Sequence, residues 1–301
     1  MNADVALDDD LAAPRHVSFL AYRGGRHLKL AIGLGVAALV AYAAVRPLVG
    51  RNGASWPGYT LGVVGAGLIL WLTWYGYRKR SYARRTIARP ASQAATADAL
   101  AARLSAHVYF GLVLWLIVTL HTGFRFGWNV HTLAYALMCL VIGSGIFGVA
   151  AYRLLPRAMT ANRNNMTRPQ MLARVAALNN ELQRAALPLD DAGATMVRRA
   201  VETTAIGGSA WRQLTGRYPD CATAAAIAAL AGASGSASLE ATAAHRAVRV
   251  LLDEKAALLA RLRYDIRCKA IMDIWLYVHI PATFALLAAL AAHVLAEFFL
   301  W

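Results

Sequence analysis

The chain has 301 residues, of which 58% are hydrophobic and 16% are charged. A soluble domain carries about 25% charged and about 45–50% apolar residues, so this composition excludes an ordinary soluble globule. The formal net charge of +15 suggests a nucleic acid or an anionic membrane surface as a partner. The sequence contains no nucleic-acid motif, and its long apolar runs favour the membrane. Three cysteines without a CxxC or CxxCH spacing give no support to a disulfide framework, a zinc ribbon or covalent c-type haem.

Five stretches are long and apolar enough to cross a bilayer, which takes about 20 helical residues. In chain order they lie at about 28–48, 58–77, 105–127, 131–152 and 272–299. Tryptophan and tyrosine residues lie near several of their ends, as in an interfacial aromatic belt. Helices are predicted because unpaired backbone groups are costly in lipid and barrel strands would alternate polar and apolar residues. The sequence therefore predicts an all-α, polytopic membrane bundle of five transmembrane helices.

A soluble insert is predicted between the fourth and fifth spans. The predicted organisation is an N-terminal cytoplasmic segment at 1–27, four spans within 28–154, a cytoplasmic helical insert at 155–271 and a fifth span at 272–301. Apolar residues recur at helical spacing over 168–187 and 239–266, which predicts a helical hairpin in the insert. Because no Gly or Pro interrupts the chain from Leu239 into the fifth span, one continuous helix is expected there.

The basic residues are distributed unequally between the predicted loops. With a cytoplasmic N-terminus, 28 of the 31 Lys and Arg residues fall on the cytoplasmic side. The other three are Arg46, Arg51 and Arg125. The basic cluster at 78–89 gives the same orientation by itself. By the positive-inside rule, we expect a bacterial-type inner membrane protein with its N-terminus in the cytoplasm and its C-terminus outside.

Histidine is the informative residue of the spans. His107 and His121 lie 14 residues apart on the third span, and His279 and His293 lie 14 apart on the fifth. Fourteen helical residues rise about 21 Å and leave two side chains within about 40° on one face. The third and fifth spans run in the same direction, and each pair is centred near the middle of its span. His107 should therefore come level with His279 near the cytoplasmic side, and His121 should come level with His293 near the outer side.

Two facing imidazoles at each level are the ligand set of a b-type haem iron. The spacing thus predicts two bis-histidine haems about 20 Å apart. Two haems at different depths would let an electron cross the lipid in shorter steps. Two alternatives stay open: each histidine is a polar residue bonded inside the bundle, or the four line a metal-transport path. A transport site usually adds acidic or thiol ligands. The spans offer only Cys139 in their interiors, with Asp273 and Glu297 near the ends of the fifth.

Further residues are candidates for contacts with the haems. Small residues that would give a flat macrocycle room, and that equally serve plain helix packing, are Gly111, Gly143, Gly145 and Gly148. Arg125, four residues after His121, is the best candidate for pairing with a haem propionate. His131 starts the fourth span, where an interfacial anchor is expected rather than a ligand.

Two parallel helices that each carry a histidine pair at this spacing resemble the ferric-reductase-like transmembrane proteins, and also the four-helix haem core of cytochrome b. The resemblance covers about 100–154 and 272–301, and is carried by HVYFGLVLWLIVTLH and HIPATFALLAALAAH. It implies that His107 and His279 hold one haem. It likewise implies that His121 and His293 hold the other. No GxGxxG follows a strand pattern, so we expect a haem conduit supplied by a separate electron donor.

These features predict a membrane di-haem b-type cytochrome that transfers electrons across or into the membrane, between a cytoplasmic redox partner and an outer acceptor or quinone. It would be an electron-transfer component of an oxidoreductase, and activity of the chain by itself is left open. A second hypothesis is a quinone-reactive haem anchor subunit of a larger oxidoreductase. A third is a non-redox helical scaffold or metal permease. The expected partners are the lipid bilayer and a redox protein or second subunit on the cytoplasmic face, with oligomerisation left open.

Overall fold

The computed structural model describes residues 19–49, 55–88, 93–232 and 239–299. Within these ranges every regular element is a helix and none is a strand, which confirms the predicted all-α class. The chain divides into two compact units, Met1–Ile146 with His279–Trp301, and Phe147–Val278. The predicted N-terminal segment up to residue 18, and the side chains of the basic cluster at 78–89, lie outside the described residues.

Four long helices follow a single turn of 3-10 helix at Phe19–Ala21. They are α1 (Arg26–Val49), α2 (Trp56–Ala88), α3 (Gln93–His121) and α4 (Val130–Arg163). α3 ends at His121, earlier than the predicted end of the third span at residue 127. The chain turns there because Gly123 and Phe124 take φ angles of 57° and 62°, which an α-helix cannot contain.

In the first unit, α3 packs against both α1 and α2. Two hydrophobic clusters form this packing, with buried members Ala31, Val113 and Ile117 in one and Ile69, Leu72, Leu114, Met138 and Leu286 in the other. Glycines let the helices approach closely, since a Cβ added at Gly35 or Gly65 would lie 3.0 Å from a methyl group of α3. Small residues at helix contacts are the usual means of close packing in membranes.

The second unit contains four shorter helices, α5 (Arg168–Ala185), α6 (Asp191–Glu202), α7 (Ala210–Thr215) and α8 (Thr223–Gly232). The prediction of a helical hairpin is therefore wrong. Pro188 ends the first apolar repeat, and Asp190 starts a new helix by accepting a hydrogen bond from the Gly193 N–H at 2.8 Å. A further cap, Ser209, starts α7, so the insert is divided into more helices than its apolar periodicity indicates.

α9 (Leu239–Phe299) is one helix of 61 residues, which confirms the predicted continuity from Leu239 into the fifth span. At the α-helical rise its length is about 92 Å, far more than the about 30 Å thickness of a hydrocarbon core. Only its apolar C-terminal stretch, at 272–299, is therefore needed to cross. Pro281 lies inside the helix without ending it. With α1 to α4, α9 completes five helices that are long and apolar enough to cross a membrane.

The core of the second unit lies between α5 and the N-terminal half of α9. Its fully buried side chains recur at helical spacing, and those at or below 1% exposure include Met171, Leu178, Leu182, Val248, Leu252, Leu259 and Leu262. Each such leucine contributes about 1.5–3 kcal/mol by leaving water. The unit thus has a hydrophobic core of its own.

One charged residue interrupts this apolar stripe. Lys255 is 0% exposed, and its Nζ donates hydrogen bonds to Asn179 Oδ1 at 2.7 Å and to the Ala200 carbonyl at 2.8 Å. Burial disfavours the ammonium form and lowers the pKa of Lys255 to about 8. The partners of Lys255 Nζ in these hydrogen bonds are therefore an amide and a carbonyl oxygen, both neutral, and not a carboxylate.

Candidate functional site

All four predicted haem ligands lie in the first unit, on α3 and on the end of α9. The residues midway between each pair are Leu114 and Leu286, and both are buried in the same hydrophobic cluster. This shared cluster is compatible with the two levels expected from the sequence, one with His107 and His279 and the other with His121 and His293. We refer to these as the 107/279 level and the 121/293 level.

At the 121/293 level, the rings of His121 and His293 lie with their centroids 6.1 Å apart and their planes at 69°. The Nδ1 atom of His121 lies 2.7 Å from the carbonyl oxygen of Gly58 on α2. Because a carbonyl only accepts hydrogen bonds, the proton of a neutral His121 must be on Nδ1. The lone pair is then on Nε2, the nitrogen that is left for a metal.

Glycines of α2 make room for the His121 ring. A Cβ atom added at Gly62 would lie 2.8 Å from His121 Cε1, closer than carbon atoms normally approach. Gly58 and Gly62 are one helical turn apart, so the ring lies directly on the backbone of α2. The prediction from sequence did not include this contact, although two glycines four residues apart in an apolar helix are a known packing signal.

His131 contacts His293 at the same level, rather than serving only as the interfacial anchor expected from the sequence. The two Nδ1 atoms are 2.5 Å apart, and the ring centroids are 4.4 Å apart with the planes at 82°. Glu297, four residues after His293, accepts a hydrogen bond from the Tyr59 hydroxyl at 2.7 Å, which joins α2 to α9. Three imidazoles from three helices therefore converge at the 121/293 level.

At the 107/279 level, His279 is held by α4. Its Nδ1 lies 2.8 Å from Ser144 Oγ, and the Ser144 hydroxyl donates to the carbonyl of Val141 at 2.8 Å. When the Ser144 proton is used in this way, its Oγ can accept from His279, and the histidine proton is then on Nδ1 with Nε2 left for a metal. The sequence analysis did not predict the contact of Ser144 with His279. A serine inside an apolar span, beside the candidate Gly145, could have indicated it.

His107, the other member of this level, contacts Tyr75 of α2, with ring centroids 4.9 Å apart. In the described part of the chain, the buried atoms Tyr75 Oη, Ser105 Oγ and His27 Nδ1 have no hydrogen-bond partner. A buried polar atom left unsatisfied costs about 1–3 kcal/mol. An oxygen-bearing group bound beside Tyr75, such as a haem propionate, would remove that cost for the Tyr75 hydroxyl.

The supporting residues predicted from sequence have different surroundings. A Cβ at Gly145 would lie 3.6 Å from His279 Cε1, so this glycine borders the 107/279 level. Gly111 and Gly143 face open space, since a Cβ there would meet nothing within 4 Å. Gly148 is instead a packing residue, because the ring of Trp275 occupies the space that a side chain would need. Arg125 lies in the exposed loop that follows α3.

Each candidate level contains the two imidazoles that a bis-histidine haem iron requires. Among the described residues, no group of three or more His, Cys, Asp or Glu side chains is arranged to hold a metal ion. Two pairs of imidazoles surrounded by apolar helices are typical of bis-histidine haem ligation. His121 and His279 also show the second hydrogen bond that orients most metal-binding histidines.

No family model, no curated protein and no solved structure matches the chain.

Proposed function

We propose that this protein is a membrane di-haem b-type cytochrome. His107 and His279 would hold one haem, and His121 and His293 would hold the other. The observation that carries the proposal is the pair of Nδ1 hydrogen bonds, from His121 to the Gly58 carbonyl and from His279 to Ser144 Oγ. Both bonds leave Nε2 with its lone pair, and the two histidines lie at different depths on different helices.

The bound haems would supply reversible one-electron chemistry at two depths in the membrane. The protein residues bind and orient them: Gly58 and Ser144 fix the tautomers of their histidine partners, so that each presents Nε2. The apolar cluster that contains Leu114 and Leu286 would separate the two levels and exclude water between them. The two levels are about 21 Å apart along the helices, by the rise over 14 residues.

The direction of insertion and the partners are part of the same proposal. The N-terminus and the second unit would be cytoplasmic, because the basic residues concentrate there. The second unit would dock a cytoplasmic redox protein or second subunit, and the outer level would pass electrons to an acceptor. The membrane would be a bacterial-type inner membrane.

The proposal is tested on full-length protein purified in detergent. The reduced-minus-oxidised spectrum should show b-type haem, with about two haems per chain by pyridine haemochrome. His107→Ala and His121→Ala should each remove one haem and leave the other, because their levels are separate. His245→Ala, in the second unit, is the control and should keep both. A colourless wild-type preparation would contradict the proposal.

A second candidate function, quinone reaction at the 107/279 level, is favoured by one observation. Tyr75 Oη contacts His107 and is a buried polar atom without a partner in the described residues, and a hydroxyl is suited to a quinone carbonyl. Titration of the reduced protein with a quinone analogue separates the two candidates. Oxidation that Tyr75→Phe abolishes, with the haem content unchanged, would favour the quinone-reactive protein.

A further inference from the structure

We infer that His131 is a positioning residue for His293, fixing its tautomer and strengthening it as a haem ligand. This inference rests on the proposed function. His131 is on α4 and His293 is on α9, so neither the sequence spacing nor the helix geometry of one span requires them to meet. Their Nδ1 atoms nevertheless lie 2.5 Å apart, and this contact decides how each ring is protonated.

One proton lies between the two Nδ1 atoms when both imidazoles are neutral. If the proton belongs to His131, then His293 carries its own proton on Nε2 and has no lone pair there for a metal. If it belongs to His293, then His293 Nε2 is free to bind iron and His131 carries its proton on Nε2. Ligation by His293 Nε2 therefore requires that His131 Nδ1 accepts the hydrogen bond.

The acceptor at His293 differs in kind from those at the other ligands. As ligands through Nε2, His121 would donate to a backbone carbonyl and His279 to a hydroxyl oxygen, whereas His293 would donate to an imidazole nitrogen. The imidazole nitrogen is a stronger base than a carbonyl or hydroxyl oxygen and is therefore the strongest of the three acceptors. A stronger acceptor raises the basicity of the ligand histidine. A more basic ligand favours oxidised iron, so His131 should lower the reduction potential of the haem at the 121/293 level.

The test is a redox titration of His131→Ala, followed by its absorbance and electron paramagnetic resonance. We expect two haems per chain, one of them with its potential raised by about 59 mV, which corresponds to a tenfold change in the ratio of reduced to oxidised haem. The potential of the other haem should not change. His131→Gln offers an amide oxygen as acceptor, so its potential should lie between those of the wild-type protein and His131→Ala.

Ser144→Ala is the reciprocal control, because it removes the acceptor of His279 and should alter only the haem at the 107/279 level. The inference is overturned if His131→Ala leaves both potentials unchanged, or if it removes a haem that His293→Ala retains. The second result would make His131 itself the ligand. A wild-type protein that binds no haem would instead overturn the proposed function, so the two failures are distinguishable.

Discussion

Gly62→Ala is the smallest change that should disturb the 121/293 level. The new methyl group would be placed on the face of α2 that the His121 ring covers. Its carbon would lie 2.8 Å from His121 Cε1, 3.1 Å from Nδ1 and 3.3 Å from Nε2. The methyl group therefore meets the ring itself, including the nitrogen proposed to bind iron.

The magnitude follows from these distances. Carbon atoms pack at about 3.5–4.0 Å, so the ring must withdraw by roughly 0.7 Å or more. The same movement would stretch the bond of His121 to the Gly58 carbonyl from 2.7 Å toward the upper limit of a good hydrogen bond. Overpacking of this kind costs about 1–3 kcal/mol. That cost corresponds to a loss of roughly 5-fold to 150-fold in haem affinity at this level, if the strain is relieved by moving the ligand.

The assay is haem titration of the purified protein, with the two sites distinguished by redox potential. Gly62→Ala should bind one haem normally and the second weakly. Gly67→Ala is the matched control on the same helix, because a Cβ there meets nothing within 4 Å. It should bind both haems normally, since alanine is also the better helix former.

Equal haem affinity of the two alanine variants would refute this reasoning. It would mean that the His121 ring either moves without consequence or is not a ligand. Loss of both haems in Gly62→Ala, with a cooperative loss of helix content, would instead indicate that the glycine supports the bundle as a whole.

Two further predictions concern the second unit and are measured by urea-dependent pulse proteolysis of the full-length protein. The folded chain loses the Lys255 proton near pH 8 while the unfolded chain keeps it to about pH 10.5, so the free energy of unfolding should rise with pH across that window, by up to about 3 kcal/mol. Lys255→Met should abolish this rise, whereas Lys269→Met, at an exposed position on the same helix, should preserve it; equal slopes would contradict the burial argument. Asp265 is 2% exposed and forms an ion pair with Arg163, so Asp265→Ala should lower the free energy of unfolding by about 2–4 kcal/mol, and an unchanged urea midpoint would show that the pair contributes nothing.

The sequence predicts the membrane helices well, because their signal is local. Length and hydropathy alone place the spans, and the absence of Gly and Pro between Leu239 and the start of the fifth span predicts the continuity of α9. The end of α3 was predicted six residues too late, since apolar and aromatic residues continue through the turn at Gly123 and Phe124. Hydropathy does not report the φ angles that end a helix.

Contacts between helices were much harder to predict. The histidine spacing predicts which residues share a level, but the partners of the rings come from α2 and α4, whose rotation about their own axes the sequence does not give. His131 was therefore interpreted as an anchor, and Ser144 was overlooked. The insert was predicted as a hairpin because short helices such as α7 have too few turns for an apolar repeat. A lysine in an amphipathic helix is usually exposed, and only the packing of the second unit shows that Lys255 is buried.

The difference between a backbone acceptor and a side-chain acceptor affects how the two levels tolerate mutation. Every residue type has a carbonyl, so no substitution at position 58 can delete the group that His121 donates to. The hydroxyl of Ser144 disappears in a single substitution to alanine or glycine. Random substitutions should therefore weaken haem binding at the 107/279 level through loss of a hydrogen bond. At the 121/293 level they should weaken it mainly through added bulk on α2. A library of variants sorted by haem content should separate along these lines, with polar-to-apolar changes affecting one site and glycine replacements affecting the other.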